Sequence, residues 1–539
     1  MLRELWFLHV AKLIDVRPSL LLALEAFTLV IGSVFFLYSI VEPRWETNDD
    51  IAMSMVVHGY GIASEASANL VFSNVMWGYL TSYFPAMDGV SGYSAASLFV
   101  LVLAASVIYF GLVKQGAGRA VALAVYFLIF VRPFVFPQFT LNSGLLFISA
   151  FVALCLFVWE RHLVYLAVAG LLATLSYLVR SQEFLLIALV AVPMLPWRAL
   201  CTGRPAMIAV LMFAAILVSA TVLDTVSYKT ESWTFYNELN PVRAIFTDFN
   251  AGEVVKSHLN TLAKYRYSQN DVELLQNWFF VDKSVADPVA LKRILADIGT
   301  LDLRRAALQE GSDGFKTLFG TRLLPLIVAT AFAAALCWDW RAMSSLLLVM
   351  ALSFAISAMG RSGTLRIYEP LLALVLVAPF ARRRLHLFPK LPILLMLLTA
   401  GTMNFVEVTK TSLGQQEWVD ARRAEISSLP DAPVVVWGVG LPLEAIYPVL
   451  DRINYKKTVA LYPLGAFTWA PFSVAYAQQK SGQGMTQRLR TDEGVWIAAN
   501  GPNFTSLNIY CQEHFGTKLE EIEKLKMGEV LVSRRRCIK

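Results

Sequence analysis

The sequence predicts a polytopic α-helical membrane protein with about eleven transmembrane helices and a small C-terminal soluble α/β domain. Of its 539 residues, 57% are hydrophobic and only 16% are charged, whereas a soluble protein carries about a quarter charged residues. The apolar residues also cluster in blocks, and about 20 residues of helix cross a bilayer. Composition and block length together favour an integral membrane protein.

The apolar blocks justify the helix count. They cover residues 20–41, 95–113, 120–137, 141–159, 162–179, 184–197, 206–224, 322–338, 342–360, 367–381 and 391–406. The block at 184–197 is short and contains Pro193 and Pro196, which interrupt a helix. No small-residue cleavage site follows the first block, so we interpret it as a retained helix.

Lysine and arginine near the helix ends predict a cytoplasmic N-terminus. With that orientation, thirteen of these residues lie on the cytoplasmic side and four lie in the short outer loops. The thirteen are Arg3, Lys12, Arg17, Lys114, Arg119, Arg161, Arg198, Arg204, Arg341, Arg382, Arg383, Arg384 and Lys390. The four are Arg44, Arg180, Arg361 and Arg366. The net charge of +6 then reports topology and does not indicate nucleic-acid binding.

Three long stretches lie outside under this orientation, and long ordered loops are usually functional. They are the first loop (42–94), the second loop (225–320) and the tail (407–539), which we separate as a domain from residues 1–406. The first loop contains an apolar, aromatic segment that predicts an interfacial helix. In the second loop, Asp287 and Pro288 predict the start of a helix that ends near Gly299. In the tail, "APVVVWGVG" and "GEVLVSRR" predict strands, whereas "FTSLNIYCQEHFG" and "KLEEIEKLK" predict helical or mixed segments.

Asp49 and Asp50 stand side by side just after the first block, next to Asn48. In many proteins such a pair only caps a helix. Neighbouring carboxylates repel, so their site must favour charge through a metal, an arginine or an acceptor hydroxyl. At the membrane edge the pair indicates general-base chemistry on an alcohol, or a divalent cation held by Asp49 or Asp50. Asn48 is a candidate substrate contact.

Arginines on the side of the acidic loop provide complementary charge. A single arginine there could merely extend to the lipid headgroups, but several run against the positive-inside trend. The planar guanidinium suits phosphate recognition, so Arg180, Arg361 and Arg366 are candidate donor-phosphate ligands. Tyr368 is a further candidate ligand of the donor phosphate, and Glu183, Asn240 and Arg243 are candidate substrate contacts.

The five cysteines divide by compartment. Cys155, Cys201 and Cys337 fall in or near the cytoplasmic halves of helices, and we expect them to be inert. Cys511 and Cys537 both fall in the tail, where an oxidising compartment would permit a disulfide between them. The histidines show no metal-ligand spacing.

Taken together, these features resemble the GT-C glycosyltransferases, which take a sugar from a polyprenyl-phosphate carrier. The resemblance lies in the acidic pair Asp49-Asp50, the interfacial segment after it, the eleven spanning helices, the soluble tail and a late helix that opens with Arg366, Tyr368 and Pro370. Asp50 stands where the protein mannosyltransferase branch has Glu. The resemblance, closest to bacterial members, implies a location in the inner membrane and a role in cell-envelope glycan synthesis or modification.

The resemblance also implies the partners and the reaction. The partners would be a polyprenyl-phosphate sugar donor, membrane lipids and a glycan, lipid or protein acceptor. Asp49 or Asp50 would deprotonate the acceptor hydroxyl, and Arg366, with Arg361 or Arg180, would receive the charge of the leaving phosphate. No nucleophilic serine or cysteine motif is evident, so direct displacement, which inverts the anomeric centre, is the simpler course.

Two other classes stay open. A transporter or flippase for a lipid-linked saccharide would place ionisable groups near the bilayer midplane, whereas these spanning blocks are nearly free of charge. A non-catalytic assembly protein would use the tail as a binding module.

Overall fold

A computed structural model describes residues 2–84, 90–249, 251–299, 307–361, 365–382, 390–426, 428–438, 440–450, 459–527 and 530–538. The N-terminal helices are α1 Leu2–Tyr38, α2 Asn48–His58, α3 Val75–Tyr83, α4 Gly92–Lys114, α5 Arg119–Val135, α6 Phe139–Glu160, α7 Leu163–Val179, α8 Ser181–Ala191, α9 Trp197–Thr202 and α10 Arg204–Ser227. The second loop contains α11 Thr234–Thr247, α12 Gly252–Ser257, α13 Leu259–Lys264, α14 Gln269–Gln276, α15 Pro288–Ile298 and α16 Ala307–Leu318. Short 3-10 turns span Val192–Met194 and Glu231–Trp233.

The chain then returns to apolar helices and ends in a mixed domain. The helices are α17 Leu324–Leu336, α18 Trp340–Ala358, α19 Leu365–Arg382, α20 Lys390–Gly414 and α21 Gln416–Ile426. The tail continues with β1 Val434–Trp437, α22 Leu443–Ile446, β2 Leu461–Leu464, α23 Val474–Lys480, α24 Met485–Arg488, β3 Val495–Ala499, α25 Gly501–Phe515, β4 Lys518–Met527 and β5 Val530–Ile538. Every predicted apolar block coincides with a helix, so the predicted fold class is confirmed.

The apolar helices face a hydrocarbon environment. Six described helices are long and apolar enough to cross a membrane by length and composition, and three further apolar helices are shorter. Their outward side chains are strongly exposed: Phe35 by 73% and Leu211 by 70%. Continuous apolar surface of this extent is unfavourable in water and suits lipid. The chain is an integral membrane protein.

The short apolar block at 184–197 belongs to a helical hairpin. Helix α7 ends at Val179, Arg180 adopts an extended conformation (φ −159°, ψ 102°), and α8 begins at Ser181. The helical part of this block is α8, and the 3-10 turn that follows α8 contains Pro193. The single extended residue between the two helices places the backbone of Arg180 at their shared end.

Close backbone packing brings the start of α19 against α6. A Cβ added to Gly144 of α6 would lie 2.4 Å from Cβ of Pro370 of α19, a separation that real side chains do not reach. Glycine therefore lets the two helices approach at this level, one turn beyond Arg366. Helix α6 is also the most enclosed of the long apolar helices, with 89% of its apolar window buried.

The first and second loops contain the predicted short helices. Asn74 caps α3 by accepting a hydrogen bond from the Met76 amide at 3.0 Å. Tyr79 and Tyr83 of α3 are 51% and 84% exposed, as suits rings at headgroup depth. The predicted helix in the second loop is confirmed: Asp287 caps α15 through the Val289 amide, and Gly299 follows its last residue.

The tail contains one mixed five-stranded sheet in the order β2-β1-β3-β5-β4. Strands β1, β2 and β3 are parallel, while β5 runs antiparallel to β3 and β4. The prediction of a helical or mixed segment for "KLEEIEKLK" is wrong, because this segment forms β4. Its glutamates pair across the strands with the arginines of β5 at 2.7 Å for Glu520–Arg536 and 3.1 Å for Glu523–Arg534. Cross-strand pairing outweighs the local helical preference of Glu and Lys.

The tail packs on both loops. The Leu461 amide donates to the Gly61 carbonyl at 2.9 Å, and Ser473 bridges to Ala63. The Trp469 indole donates to the Phe280 carbonyl at 2.6 Å. A disulfide joins Cys511 of α25 to Cys537 of β5, with the Cα atoms 5.7 Å apart. Helix α20 continues to Gly414, past the predicted domain boundary at residue 406, and that boundary remains a prediction.

Candidate active site

A cavity of about 590 Å³ lies where the two loops meet the ends of the apolar helices. Its walls come from α2, the α7–α8 junction, α11, the segment after α18, and the start of α19. Six residues singled out in the sequence line it: Asp49, Arg180, Asn240, Arg243, Arg361 and Arg366. The lining holds four arginines and two aspartates, Asp49 and Asp248, a net charge of +2. We call it the inner cavity.

Asp49 and Arg366 form an ion pair in the inner cavity. One guanidinium nitrogen of Arg366 donates to Oδ2 of Asp49 at 3.1 Å. The pair is only partly enclosed, with 32% of the Asp49 side chain and 27% of the Arg366 side chain exposed. Both groups therefore meet the cavity while holding each other in orientation. The guanidinium retains further N–H donors for a second ligand.

Asp50 occupies a different environment from its neighbour. Successive residues of a helix point about 100° apart, so when Asp49 faces the cavity, Asp50 faces the core. Asp50 is fully buried, and its Oδ1 accepts hydrogen bonds from the Tyr93 hydroxyl and the Phe139 amide, each at 3.0 Å. Burial raises the pKa of Asp50 well above its ordinary value, and the charge of Asp49 acts in the same direction. Oδ2 has no hydrogen-bond partner among the described residues.

Arg180 enters the cavity from the α7–α8 junction. Its guanidinium lies over the Phe139 ring at 4.6 Å, and its carbonyl accepts a hydrogen bond from Ser143 at 3.1 Å. The anchored backbone and the aromatic face restrict the side chain. Glu183, in the first turn of α8, is buried and does not line the cavity, and its Oε1 has no hydrogen-bond partner in the described part of the chain.

Asp248, at the end of α11, forms ion pairs with two further arginines. Its Oδ2 lies 3.0 Å from Arg361 and 3.9 Å from Arg243. Arg243 also lies over the Trp278 ring at 5.0 Å. Burial lowers the pKa of Arg243, while Tyr236 and Asp248 oppose that shift. Two guanidiniums share one carboxylate here, so the group keeps a net positive charge.

The position of Arg361 depends on the glycine before it. Gly360 has φ +91°, and an added Cβ would lie 2.7 Å from the Phe249 carbonyl oxygen. Only glycine accepts this conformation and this approach readily. The glycine thus brings the end of α18 against the end of α11, where Arg361 meets Asp248.

Four candidates lie outside the cavity lining: Asn48, Asp50, Glu183 and Tyr368. Tyr368 is fully buried, with its hydroxyl 3.2 Å from that of Ser357. The side chain of Asn48 accepts a hydrogen bond from the Glu444 amide of the tail at 3.1 Å. Tyr368 and Asn48 are therefore engaged in contacts within the protein.

Three further residues line the cavity, and sequence patterns indicated them only weakly or not at all: Asp248, Trp278 and Phe72. Asp248 was visible near Arg243 in the sequence, but nothing marked its pairing with the distant Arg361. Trp278 and Phe72 lie among many aromatic residues of the two loops, and no local signal distinguishes a cavity residue from a core residue there.

The carboxylates of the inner cavity do not suit a divalent cation. Asp49 is paired with Arg366, and Asp248 is paired with Arg361. Asp50 is buried and directs its oxygen to two donors. Hard cations require several free oxygen ligands, and these groups do not supply them. The four arginines supply the positive charge of the cavity lining.

No protein-family model and no curated protein sequence matches the chain. A solved structure does. The fold is similar to that in the crystal structure of ArnT from Cupriavidus metallidurans bound to undecaprenyl phosphate, with a TM-score of 0.43. The sequence identity is 11%, and the match covers 95% of this chain and 97% of that chain. The chemistry of the cavity follows from its own residues.

The inner cavity can therefore hold an anion beside a carboxylate. Arginine forks bind phosphate with paired hydrogen bonds, and four of them converge here. Asp49 is the described carboxylate of α2 that reaches the same space. Such a site can remove a proton from one substrate while it neutralises charge on another.

Proposed function

We propose that the protein transfers a sugar from a polyprenyl-phosphate donor to an acceptor hydroxyl, at the extracytoplasmic face of the membrane. The observation that carries the proposal is the contact of Asp49 with Arg366 at 3.1 Å in a cavity lined by three more arginines. A general base and phosphate ligands are the two groups that this reaction needs within one site.

The position of the cavity fits a donor anchored in lipid. It opens where the apolar helices end, so a phosphate held there remains at headgroup depth while its polyprenyl chain stays among the exposed apolar faces. A soluble donor would not need this location. The cavity volume of about 590 Å³ is also within the range of ordinary ligand pockets.

The chemical step is a direct displacement. Asp49 takes the proton from the acceptor hydroxyl as that oxygen forms a bond to the anomeric carbon. The bond from the anomeric carbon to the phosphate oxygen breaks, and its electron pair leaves with the polyprenyl phosphate. Arg366 and Arg180 receive the charge that develops on that oxygen. Attack opposite the leaving group inverts the anomeric centre. The product is a glycosylated glycan, lipid or protein of the cell envelope.

Transfer assays with the full-length protein in proteoliposomes test the proposal. The donors are radiolabelled sugars on undecaprenyl phosphate, and the measured quantity is undecaprenyl phosphate released. Asp49→Asn should lower the rate by roughly 10²–10⁴-fold, as expected for loss of a general base. Asp492→Asn is the matched control, since Asp492 is fully exposed on the tail.

The phosphate ligands are tested in the same assay. Arg366→Ala should lower the rate by roughly 10²–10³-fold, and Arg366→Lys, which keeps the charge without the fork, should recover only part of it. Arg341→Ala, at the start of α18 beside Trp340, should be silent. Transbilayer movement of the labelled donor without sugar transfer would instead favour a flippase.

A further inference from the structure

A second cavity of about 500 Å³ lies between the second loop and the tail. We call it the outer cavity. Lys283 lines it from the second loop, and Trp469, Tyr476, Lys480, Thr486 and Gln487 line it from the tail. Binding pockets often form between two structural units that each supply part of the wall. Nothing in the proposed transfer step uses these residues.

The outer cavity has a net positive charge, because Lys283 and Lys480 outnumber its one acidic residue, Asp282. Lys283 and Lys480 are both exposed, and neither forms an ion pair with the residues that the structure describes. Lys283 instead lies over the rings of Phe235 and Trp469, at 4.7 and 4.9 Å. The Asp282 carboxylate forms no ion pair with either lysine among the described contacts and accepts hydrogen bonds from Tyr510 and Ser284, so the lining keeps a net charge of +1. The two ammonium groups are therefore available to an anion.

Uncharged polar groups complete the wall. The side-chain amide of Gln479 donates to the Val281 carbonyl and the Tyr462 hydroxyl, which fixes its orientation and leaves its oxygen as an acceptor. The oxygen of Gln487 accepts from Thr486 at 3.2 Å, so its NH₂ group keeps its donors. Fixed amide donors and acceptors beside an aromatic ring suit a ligand with many hydroxyl groups.

The two cavities are neighbours. A gap of about 10 Å³ lies between them, lined by Asn240 and Arg243, which also line the inner cavity, and by Trp469, which also lines the outer one. Trp469, whose ring lies 4.9 Å from the ammonium group of Lys283, thus belongs to the walls of both the gap and the outer cavity. The gap has room for about one water molecule, so an acceptor that reaches both cavities passes along the outside of this shared wall.

We propose that the outer cavity binds an anionic saccharide, namely the part of the acceptor that lies beyond the hydroxyl to be glycosylated. The identification of this ligand as the acceptor rests on the proposed transfer reaction. Carboxylate or phosphate groups of the saccharide contact Lys283 and Lys480, and its hydroxyl groups contact Gln479 and Gln487. An acidic peptide would use the lysines equally well but would leave the amide groups without hydroxyl partners.

Binding to the full-length protein in detergent tests the site without any turnover. The probe is hexagalacturonate, with maltohexaose as the uncharged hexasaccharide and hexaglutamate as the acidic peptide. Hexagalacturonate should bind more tightly than both. In Lys283→Met with Lys480→Met its affinity should fall by roughly tenfold, the effect of two partly exposed ion contacts. Methionine retains the apolar stem over the rings, so the fold is preserved.

Lys524→Met on the exposed face of β4 is the matched control, and it should leave binding unchanged. The proposed site would be overturned if the double variant bound hexagalacturonate as tightly as the unaltered protein, or if the unaltered protein did not bind it. Tighter binding of hexaglutamate would replace the saccharide with a peptide partner. Asp49→Asn should bind hexagalacturonate normally. If the unaltered protein binds it but never cleaves any donor, the transfer reaction fails and the saccharide site stands.

Discussion

At the residue scale, one dipeptide supplies two carboxylates with different properties. Asp49 is paired with Arg366 at the inner cavity, while Asp50 is enclosed by Tyr93 and the amide of Phe139. Burial and the neighbouring charge of Asp49 raise the pKa of Asp50 above its ordinary value, which makes a neutral side chain less costly at this position than at Asp49. The sequence marked the pair but could not separate its members, since the separation depends on packing against α4 and α6.

The two positions should therefore respond differently to a neutral substitution. Asp50→Asn keeps an oxygen for the two donors and should retain transfer within about threefold, whereas Asp49→Asn loses most of it. Asp50→Ala removes that acceptor from two buried donors and should destabilise the fold by about 1–3 kcal/mol per donor. Measurements of the transfer rate and of the thermal unfolding temperature of the three variants test these two expectations. Loss of activity in Asp50→Asn at unchanged stability would make Asp50 a direct participant.

At the scale of elements, the apolar blocks were predictable because each must satisfy its backbone hydrogen bonds within the segment in lipid. Strand β4 was not predictable, because its Glu and Lys residues favour a helix in isolation and form a strand only when the arginines of β5 lie opposite them. The same limit applies to the site. Arg366 was visible as an unusual charge at a helix start, but its partner Asp49 lies 317 residues away. Local patterns identify elements, and long-range pairing identifies the cavity.

Helices α14 and α25 join the second loop to the tail through a titratable contact. Nε2 of His514 lies 2.8 Å from Oδ1 of Asp271. This hydrogen bond raises the pKa of His514 above 6.5, with Asp282 and Glu513 contributing in the same direction, while partial burial opposes it. A raised folded-state pKa means that the contact contributes fully below about pH 6.5 and is lost as the pH rises through the folded value.

Raising the pH should therefore loosen α14 from α25. Hydrogen exchange of the α14 amides is expected to accelerate between pH 6.5 and alkaline pH by more than the intrinsic rate predicts. His514→Asn, which cannot become charged, should remove that excess. An identical pH dependence in the variant and the unaltered protein would show that the histidine does not control this contact.

The disulfide fastens the last strand to α25. It closes a loop between residues 26 apart in sequence, for which chain entropy gives a stabilisation on the order of 3 kcal/mol. Cys511→Ser with Cys537→Ser should lower the unfolding temperature of the tail accordingly, and reductant should do the same to the unaltered protein only. Non-reducing peptide mapping that recovers both thiols free would contradict the pairing.

At the scale of the whole molecule, both loops and the tail form one continuous layer. The tail contacts the first loop through Gly61 and the second through Phe280. This arrangement requires that all three lie on one side of the membrane. The excess of Lys and Arg at the opposite helix ends predicts that this side is extracytoplasmic.

Reporter fusions after residues 60, 270 and 480 should accordingly all report an extracytoplasmic location. A fusion after Arg161, between α6 and α7, should report the cytoplasm and serves as the control. A cytoplasmic signal at 480 with the other positions outside would be incompatible with the contacts between the tail and the first loop.

The hydrogen bond from the Glu444 amide to Asn48 has a consequence for biosynthesis. Asn48 is inserted early, but its partner is 396 residues further along the chain. At about 5–20 residues per second, the ribosome needs roughly 20–80 s to supply it. During that interval the helix that carries Asp49 lacks its contact with the tail, and the inner cavity is still incomplete. A nascent chain thus carries Asp49, the proposed general base, into the membrane well before the tail can support it, and the proposed activity would begin only after the segment with Glu444 has been translocated.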